Sequence, residues 1–102
     1  MSFVESLRTF ASPQPTPQPQ AQVWDCSSRG QSLAAAFEVH EAAMREGYMP
    51  DEATRLSMAL AELTARGGIA SVYFLELGWR VDVALPGGGP VLSSSYQRVE
   101  NA

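Results

Sequence analysis

Apolar and polar positions follow two different periods along this chain. Between residues 31 and 63, apolar side chains recur every three to four positions, which is the period of an α-helix. From residue 69 onward they alternate with polar residues or cluster with β-branched and aromatic residues, as in strands. We therefore predict two helices followed by a set of strands.

The first predicted helix extends from about Gln31 to Glu46. Ser28, with Gln31 three positions later, or Ser32 itself can cap its start, and Gly47 ends the pattern. One face of this helix collects apolar residues, and we expect that face to contact the core. It comprises Leu33, Ala36, Phe37, His40, Ala43 and Met44.

The second helix is predicted to begin at Pro50, because proline suits a first turn and the charges of Asp51 and Glu52 interact favourably with the helix dipole. The pair Gly67-Gly68 ends the pattern. The short loop at 47–49 then joins the two helices as an antiparallel hairpin. The apolar face of the second helix comprises Ala53, Leu56, Ala59, Leu60 and Leu63.

Strands are predicted at Ile69–Leu77 and Arg80–Leu85, joined by a tight turn at Gly78-Trp79. Val91–Val99 can return as a third strand after a break rich in glycine and proline, and Val23–Cys26 can form an edge strand. The predicted fold class is α+β: a helical hairpin packed on a small antiparallel β-sheet, preceded by a Pro/Gln-rich linker and a short N-terminal amphipathic arm.

The chain divides into an arm at residues 1–11, a Pro/Gln-rich linker at 12–22, one small domain at 23–99 and a short tail at 100–102. Alternate prolines in the linker favour an extended polyproline path. The arm carries an apolar stripe at helical spacing. We expect it to pack on its own domain or on a second copy, to dock on another protein, or to stay disordered. The stripe comprises Phe3, Val4, Leu7 and Phe10.

The composition of the 102 residues limits the classes of partner. The formal net charge is -4 and the pI is near 4.8, so we do not expect the clustered basic surface that direct nucleic-acid binding needs. All 7 basic residues are Arg, which together with plentiful Ala, Gly and Pro indicates a bacterial or phage source. The sequence contains no recognisable leader or membrane span, and its single cysteine excludes an internal disulfide, so we expect a cytoplasmic protein.

The reactive residue types are not arranged as an active site, so we predict no enzyme activity, no metal and no cofactor. The loop Gly87–Gly89 lacks the Lys and Ser/Thr of a phosphate-binding loop and is interpreted as a hairpin loop. The serines at 93–95 lack a base, because the one histidine, His40, lies on an apolar helix face. Cys26 follows the anionic Asp25, which disfavours a thiolate, and is interpreted as a buried or half-buried thiol without a catalytic role.

The stretch Gly47–Leu63 resembles the nucleotide-binding helix of the anti-sigma-factor serine kinases, which have a histidine-kinase-like ATPase fold. In both, a Gly-aromatic pair and an Asp precede a helix that ends in Glu-Leu. By this resemblance Glu62 would match the catalytic glutamate of the family. The magnesium-binding Asn expected four residues later is Arg66 here, and the later Asp-x-Gly box is missing. The resemblance covers about 17 of the 102 residues and implies a truncated relative without ATP chemistry.

These patterns together predict a non-enzymatic protein–protein interaction factor. We expect a small acidic bacterial or phage accessory protein, such as an inhibitor, immunity protein or adaptor, that acts by binding another protein. Besides the arm stripe, Trp79 and Arg80 at the predicted hairpin tip are candidate partner-binding residues, because Trp and Arg often anchor interfaces. The alternative for Trp79 is that it folds under the sheet.

Two alternative functions remain open at this point. One is a small-ligand or nucleotide-binding domain that uses the Gly87–Gly89 loop and the face around Glu62. The other is a homo-oligomeric assembly component, such as a homodimer, in which two copies exchange their arms.

Overall fold

In the computed structural model, which describes residues 20–99, the chain forms six elements in the order strand, helix, helix, strand, strand, strand. The four strands make one antiparallel sheet in sequential order, and both helices pack on the same face of it. The predicted α+β fold class is confirmed. The elements are β1 (Gln22–Asp25), α1 (Arg29–Arg45), α2 (Pro50–Leu63), β2 (Ile69–Leu75), β3 (Gly78–Ala84) and β4 (Leu92–Gln97).

The predicted arm and most of the predicted linker lie outside the described residues. The linker was expected to end at Gln22, but in the structure Gln22 is the first residue of β1 and pairs with Val72 of β2. Strand β1 is therefore an edge strand that adds to β2, and the chain enters the sheet beside α1, which contacts β1.

The turn between β2 and β3 lies at Glu76-Leu77, so the prediction of a turn at Gly78-Trp79 is wrong by two residues. Gly78 is already paired with Leu75 on one side and Gln97 on the other. A Cβ on this residue would overlap the Tyr96 carbonyl oxygen and would lie 2.9 Å from the Cα of Gln97. The glycine is thus required by the close approach of β3 to β4 and not by a turn conformation.

Helix α1 begins as the sequence indicates but turns a different face to the core. Ser28 caps it in a full capping box with Gln31, which is the first of the two predicted caps, and the helix begins at Arg29, two residues earlier than expected. The predicted core-facing stripe is wrong, because Leu33, Phe37 and Met44 are exposed and only Ala43 of the predicted set is fully buried. The buried face comprises Ser32, Ala35, Val39, Ala42 and Ala43.

Small side chains decide this orientation of α1, because they let its backbone approach α2 closely. The hydroxyl of Ser57 on α2 donates a hydrogen bond of 2.8 Å to the carbonyl oxygen of Ala36. The hydroxyls of Ser32 and Thr64 lie 2.5 Å apart and form a second, buried contact between the two helices. Larger residues at these positions would push the helices apart, so the alanine- and serine-rich face is the one that packs.

Helix α2 packs as predicted. Ala53, Leu56 and Leu60 are fully buried, with Ala59 and Leu63 half-buried at the edges of the same face. They meet the inward-pointing residues of the central strands across one continuous core. That core includes Cys26, Val39, Tyr48, Leu56, Leu60, Val72, Trp79, Val81 and Val83.

The close strand approach at Gly78 gives a first testable prediction. Replacement of Gly78 by Ala should lower the free energy of unfolding by about 2 kcal/mol or more, because the added methyl meets backbone atoms that cannot rotate away. Chemical denaturation measures this difference. The matched control is Gly30→Ala in α1, where a Cβ has nothing within 4 Å and the change should be neutral or stabilising. Equal effects of the two substitutions would contradict this account of Gly78.

Candidate protein-interaction surface

The outer face of the two helices, opposite the sheet, exposes large apolar side chains. We call this surface the helix-face patch and define it as Leu33, Phe37 and Met44 of α1. Their exposed fractions are 51%, 76% and 42% in that order. Isolated exposed apolar residues are common on proteins, but a contiguous group of them marks an interaction surface.

The three side chains of the patch lie together on α1. Positions 33, 37 and 44 are on one side of this helix, since residues four and seven apart share a helical face. Met58 of α2 is also exposed, but it lines a separate cavity on the β4 side of α2, together with Arg55, Glu62 and Tyr96.

A cavity of about 230 Å³ lies at one end of the patch, between the start of α1 and the end of α2. At its floor the Ser32 and Thr64 hydroxyls bond to each other, and Thr64 also donates to the Leu60 carbonyl oxygen at 2.8 Å. These two hydroxyls are already bonded within the fold, so the rest of the wall consists of apolar side chains and Arg29. Its lining residues are Arg29, Ser32, Leu33, Ala61, Thr64 and Ala65.

The structure separates the two candidate binding residues that the sequence placed at the hairpin tip. Trp79 is only 3% exposed, its indole N–H donates to the Glu52 carbonyl oxygen at 3.2 Å, and its ring stacks on Tyr96. This is the alternative arrangement, in which Trp79 folds under the sheet. Arg80 points to the opposite, outer face of the sheet and pairs with Asp82 at 2.9 Å. The two side chains therefore point to opposite faces of the sheet, although both residues line a cavity of about 390 Å³ at the β2–β3 turn.

The other candidate residues from the sequence, Phe3, Val4, Leu7 and Phe10, lie outside residues 20–99. Sequence reasoning missed the helix-face patch as a surface, although it included all three of its residues in a stripe that it expected to face the core. The available signal was that α1 carries two apolar arcs, one of large residues and one of alanines with Val39. Only one of them can face the sheet.

Glu52 is the one buried carboxylate in the described part of the chain, and it forms a dense polar cluster. Its two oxygens accept hydrogen bonds from Arg98 Nε at 2.7 Å and Arg98 Nη2 at 3.1 Å. They also accept bonds from the Tyr96 hydroxyl at 3.2 Å and the Met49 backbone N–H at 2.8 Å. These bonds, those of Arg98 first, lower the pKa of Glu52 from 4.5 to about 2. The carboxylate thus joins the start of α2 to the end of the sheet.

Acid titration tests this ion pair. Because the pKa of Glu52 is lower in the folded protein, its contribution is complete above about pH 4.5 and disappears as the pH falls towards 2. Glu52→Gln should lower the free energy of unfolding by about 2 kcal/mol at pH 7. The difference between the variant and the wild type should shrink to near zero at the acid end of this range. A pH-independent difference, measured by urea denaturation across this range, would contradict the assignment.

Other reactive groups in the described region have structural surroundings. Cys26 is fully buried and burial raises the pKa of its thiol, which confirms the predicted buried cysteine. The Ser93 hydroxyl donates to Asp82 on the outer face of the sheet, whereas His40 lies in the helical layer on the other side. The Gly87–Gly89 loop leads from β3 into β4, as predicted for a hairpin loop, and not into a helix whose N-terminus could bind phosphate.

Within residues 20–99, no three His, Cys, Asp or Glu side chains come together in a way that could hold a metal ion. Neither α1 nor α2 is long and apolar enough to cross a bilayer. Arg55 lies over the ring of Tyr96 at 5.3 Å and so belongs to the contact between α2 and β4. Large apolar residues are also exposed elsewhere in the described region, and the helix-face patch places three of them on one side of a single helix.

No family model, no curated protein and no solved structure matches this chain. The resemblance of Gly47–Leu63 to the anti-sigma-factor kinases therefore gains no support from these comparisons. In the structure Glu62 is an exposed residue on α2, and Arg66 lies in the turn that follows the helix.

The orientation of α1 gives a further prediction. Phe37→Ser should change the free energy of unfolding by no more than about 0.5 kcal/mol, because the side chain is largely in solvent. Val39→Ala, two residues away on the buried face, should cost about 2 kcal/mol through a cavity in the core. Thermal or chemical denaturation of the two variants checks the difference. A larger loss for Phe37→Ser than for Val39→Ala would mean that the other face of α1 is packed.

Proposed function

We propose that this protein is a non-enzymatic interaction factor that binds a partner protein through the helix-face patch. The observation that carries the proposal is the exposure of Phe37 and its neighbours on a helix whose opposite face is already packed in the core. Exposure of such apolar side chains to water is unfavourable. Their burial against a partner contributes roughly 25 cal/mol of favourable binding free energy for each Å² of apolar surface removed from water.

The size of the patch indicates the kind of partner element it fits. Its three side chains together expose on the order of 300 Å², whereas a specific interface between two whole proteins buries roughly 800 Å² on each side. A short amphipathic helix matches the smaller area. Such a helix lays apolar residues at positions i, i+3, i+4 and i+7 into the space between two helices. The cavity beside Leu33 offers a recess for one of its side chains.

The accessory role follows from this mode of binding. A small domain that occupies a helical segment of another protein acts by covering that segment, as inhibitors, immunity proteins and adaptors do. The net charge of -4 favours a partner with a basic surface around its apolar segment. Arg80, on the outer face of the sheet, is not part of this proposed surface.

A comparative pull-down tests the proposal. We expect a partner captured from a bacterial lysate by the wild-type chain to bind Phe37→Ser and Leu33→Ser at least about tenfold more weakly, because central apolar anchors carry most of the binding energy of an interface. The matched control is Val23→Ser, an exposed apolar residue of β1 on the outer face of the sheet.

The dissociation constants of the purified partner for the three variants and the wild type then quantify the differences in binding. Retention by Val23→Ser together with loss by the two patch variants supports the proposal. Equal binding of the partner by all variants would overturn the assignment to this surface, and so would equal loss by the Val23 control.

A further inference from the structure

We propose that two copies of this chain associate through the free edge of β4, so that their sheets join into one continuous antiparallel sheet. Strand β4 is the last strand in the sheet order, and within residues 20–99 it pairs only with β3. Helix α1, which carries the helix-face patch, contacts β1 at the opposite side of the sheet. Association through β4 is therefore independent of the proposed function.

Strand β4 lacks the features that usually block the edge of a sheet. Monomeric proteins protect such edges with charged side chains, proline or a bulge. The stretch Leu92–Gln97 contains no charged residue and no proline, and its register with β3 is unbroken. The other edge strand, β1, has only four residues and ends in Asp25. A further strand can therefore add to β4.

The backbone of β4 offers a row of hydrogen-bonding groups to such a strand. The N–H of Arg98 donates to the Leu77 carbonyl oxygen at 2.6 Å, and this pair continues the register of β3 and β4. Bonded and non-bonded pairs alternate along an antiparallel ladder. The N–H and C=O groups of Ser93, Ser95 and Gln97 therefore point away from β3, where a second strand can bind them.

A second copy satisfies these groups in the register centred on Ser94. By twofold symmetry, Ser93 of one copy then exchanges both of its backbone hydrogen bonds with Ser95 of the other. Leu92 and Tyr96 pack against the core on the helix side of the sheet. In this register Leu92 of one copy lies opposite Tyr96 of the other, and an apolar–aromatic pair of this kind stabilises neighbouring strands.

Contacts between α2 and β4 show how the helix runs along this edge. The Glu52 carboxylate binds Arg98 at 2.7 Å, and Arg55, three residues later, lies over the ring of Tyr96 at 5.3 Å. Helix α2 therefore runs antiparallel to β4. Two further residues of the strand cover about 7 Å, which corresponds to between four and five residues of the helix.

The exposed side of α2 is complementary to itself about the same twofold axis. Met58 lies level with Ser94, and both line one cavity together with Arg55 and Glu62. About an axis at Ser94, the two copies of Met58 meet, and Arg55 of one copy lies opposite Glu62 of the other. Neither Arg55 nor Glu62 belongs to an ion pair within residues 20–99. A second copy thus supplies two opposite-charge pairs beside an apolar contact.

The spacing of the elements allows the strands and the helices to pair at the same time. Helix α2 contacts both β3 and β4, so in a joined sheet the two copies of α2 lie two strand spacings apart. At about 4.8 Å for each spacing, this distance is about 10 Å. Helices pack at roughly 8–10 Å from each other. A strand from an unrelated protein would use the backbone of β4 but would not supply the paired helix.

Charge reversal in the full-length chain tests this interface by sedimentation equilibrium. We expect the wild type to be in reversible equilibrium with a dimer. Arg55→Glu and Glu62→Arg each place like charges opposite each other twice in a dimer, so each should weaken association at least about tenfold. An equimolar mixture of the two variants restores opposite charges at both positions and should form a mixed dimer nearly as tightly as the wild type.

Matched variants separate the interface from net charge and from the proposed function. Arg45→Glu changes the net charge as Arg55→Glu does, but at an exposed position of α1, and should associate like the wild type. Phe37→Ser, in the helix-face patch, should also associate like the wild type. Circular dichroism of each variant checks that the fold is retained.

Amide hydrogen exchange locates the contact on the sheet. The N–H groups of Ser93 and Ser95 should become protected as the protein concentration rises. Val23 in the other edge strand is the control. The N–H of Cys26 bonds to the Gly68 carbonyl oxygen at 2.8 Å, so by the same alternation the N–H of Val23 points away from β2. Its exchange should stay fast at every concentration.

Three results would overturn the inference. One is a wild-type chain that stays monomeric at all concentrations. Another is a mixture of the two charge variants that associates no better than either variant alone, and the same holds for a dimer that only Phe37→Ser disrupts, which would place the contact at the helix-face patch. The third is protection of Ser93 and Ser95 that does not change with concentration, which would indicate a strand added from the same chain.

Discussion

The hydrogen bonds of the buried Glu52 carboxylate connect several elements of this small fold. Its oxygens bind Arg98 and Tyr96 from the last strand and the N–H of Met49 from the loop between the helices. Its carbonyl oxygen accepts the indole N–H of Trp79. One residue at the start of α2 thus fixes the loop, the central strand and the edge strand, and an unpaired charge there would be costly.

The close contact between the two helices determines which surface remains available. Ser32 and Thr64, and Ser57 with the carbonyl of Ala36, pair through short side chains and leave no room for larger ones. The large residues of α1 are consequently excluded from the interface with α2 and the sheet. Their exposure is a result of how the core packs, and it supplies the apolar surface on which the proposed function depends.

Local signals in the sequence were sufficient to predict the helices and strands, but not to predict which residues of these elements contact each other. The capping box at Ser28, the proline at the start of α2 and the alternating pattern of β3 each indicate an element from neighbouring residues alone. The role of Gly78 was assigned to a turn, because a glycine beside two strands is usually a turn residue. Its actual role depends on Tyr96, which lies 18 positions away along the chain and next to it in the sheet.

The sequence by itself determined the α+β class, the order of the helices and strands, and the buried character of Cys26, since periodicity and composition act over a few residues. Only the tertiary structure decided which face of α1 is buried, that Glu52 binds Arg98, and that Trp79 lies in the core. The physical reason is that close packing and ion pairing depend on distance in space. Helix α1 carries two apolar faces of comparable strength, and only the available volume beside α2 and the sheet selects between them.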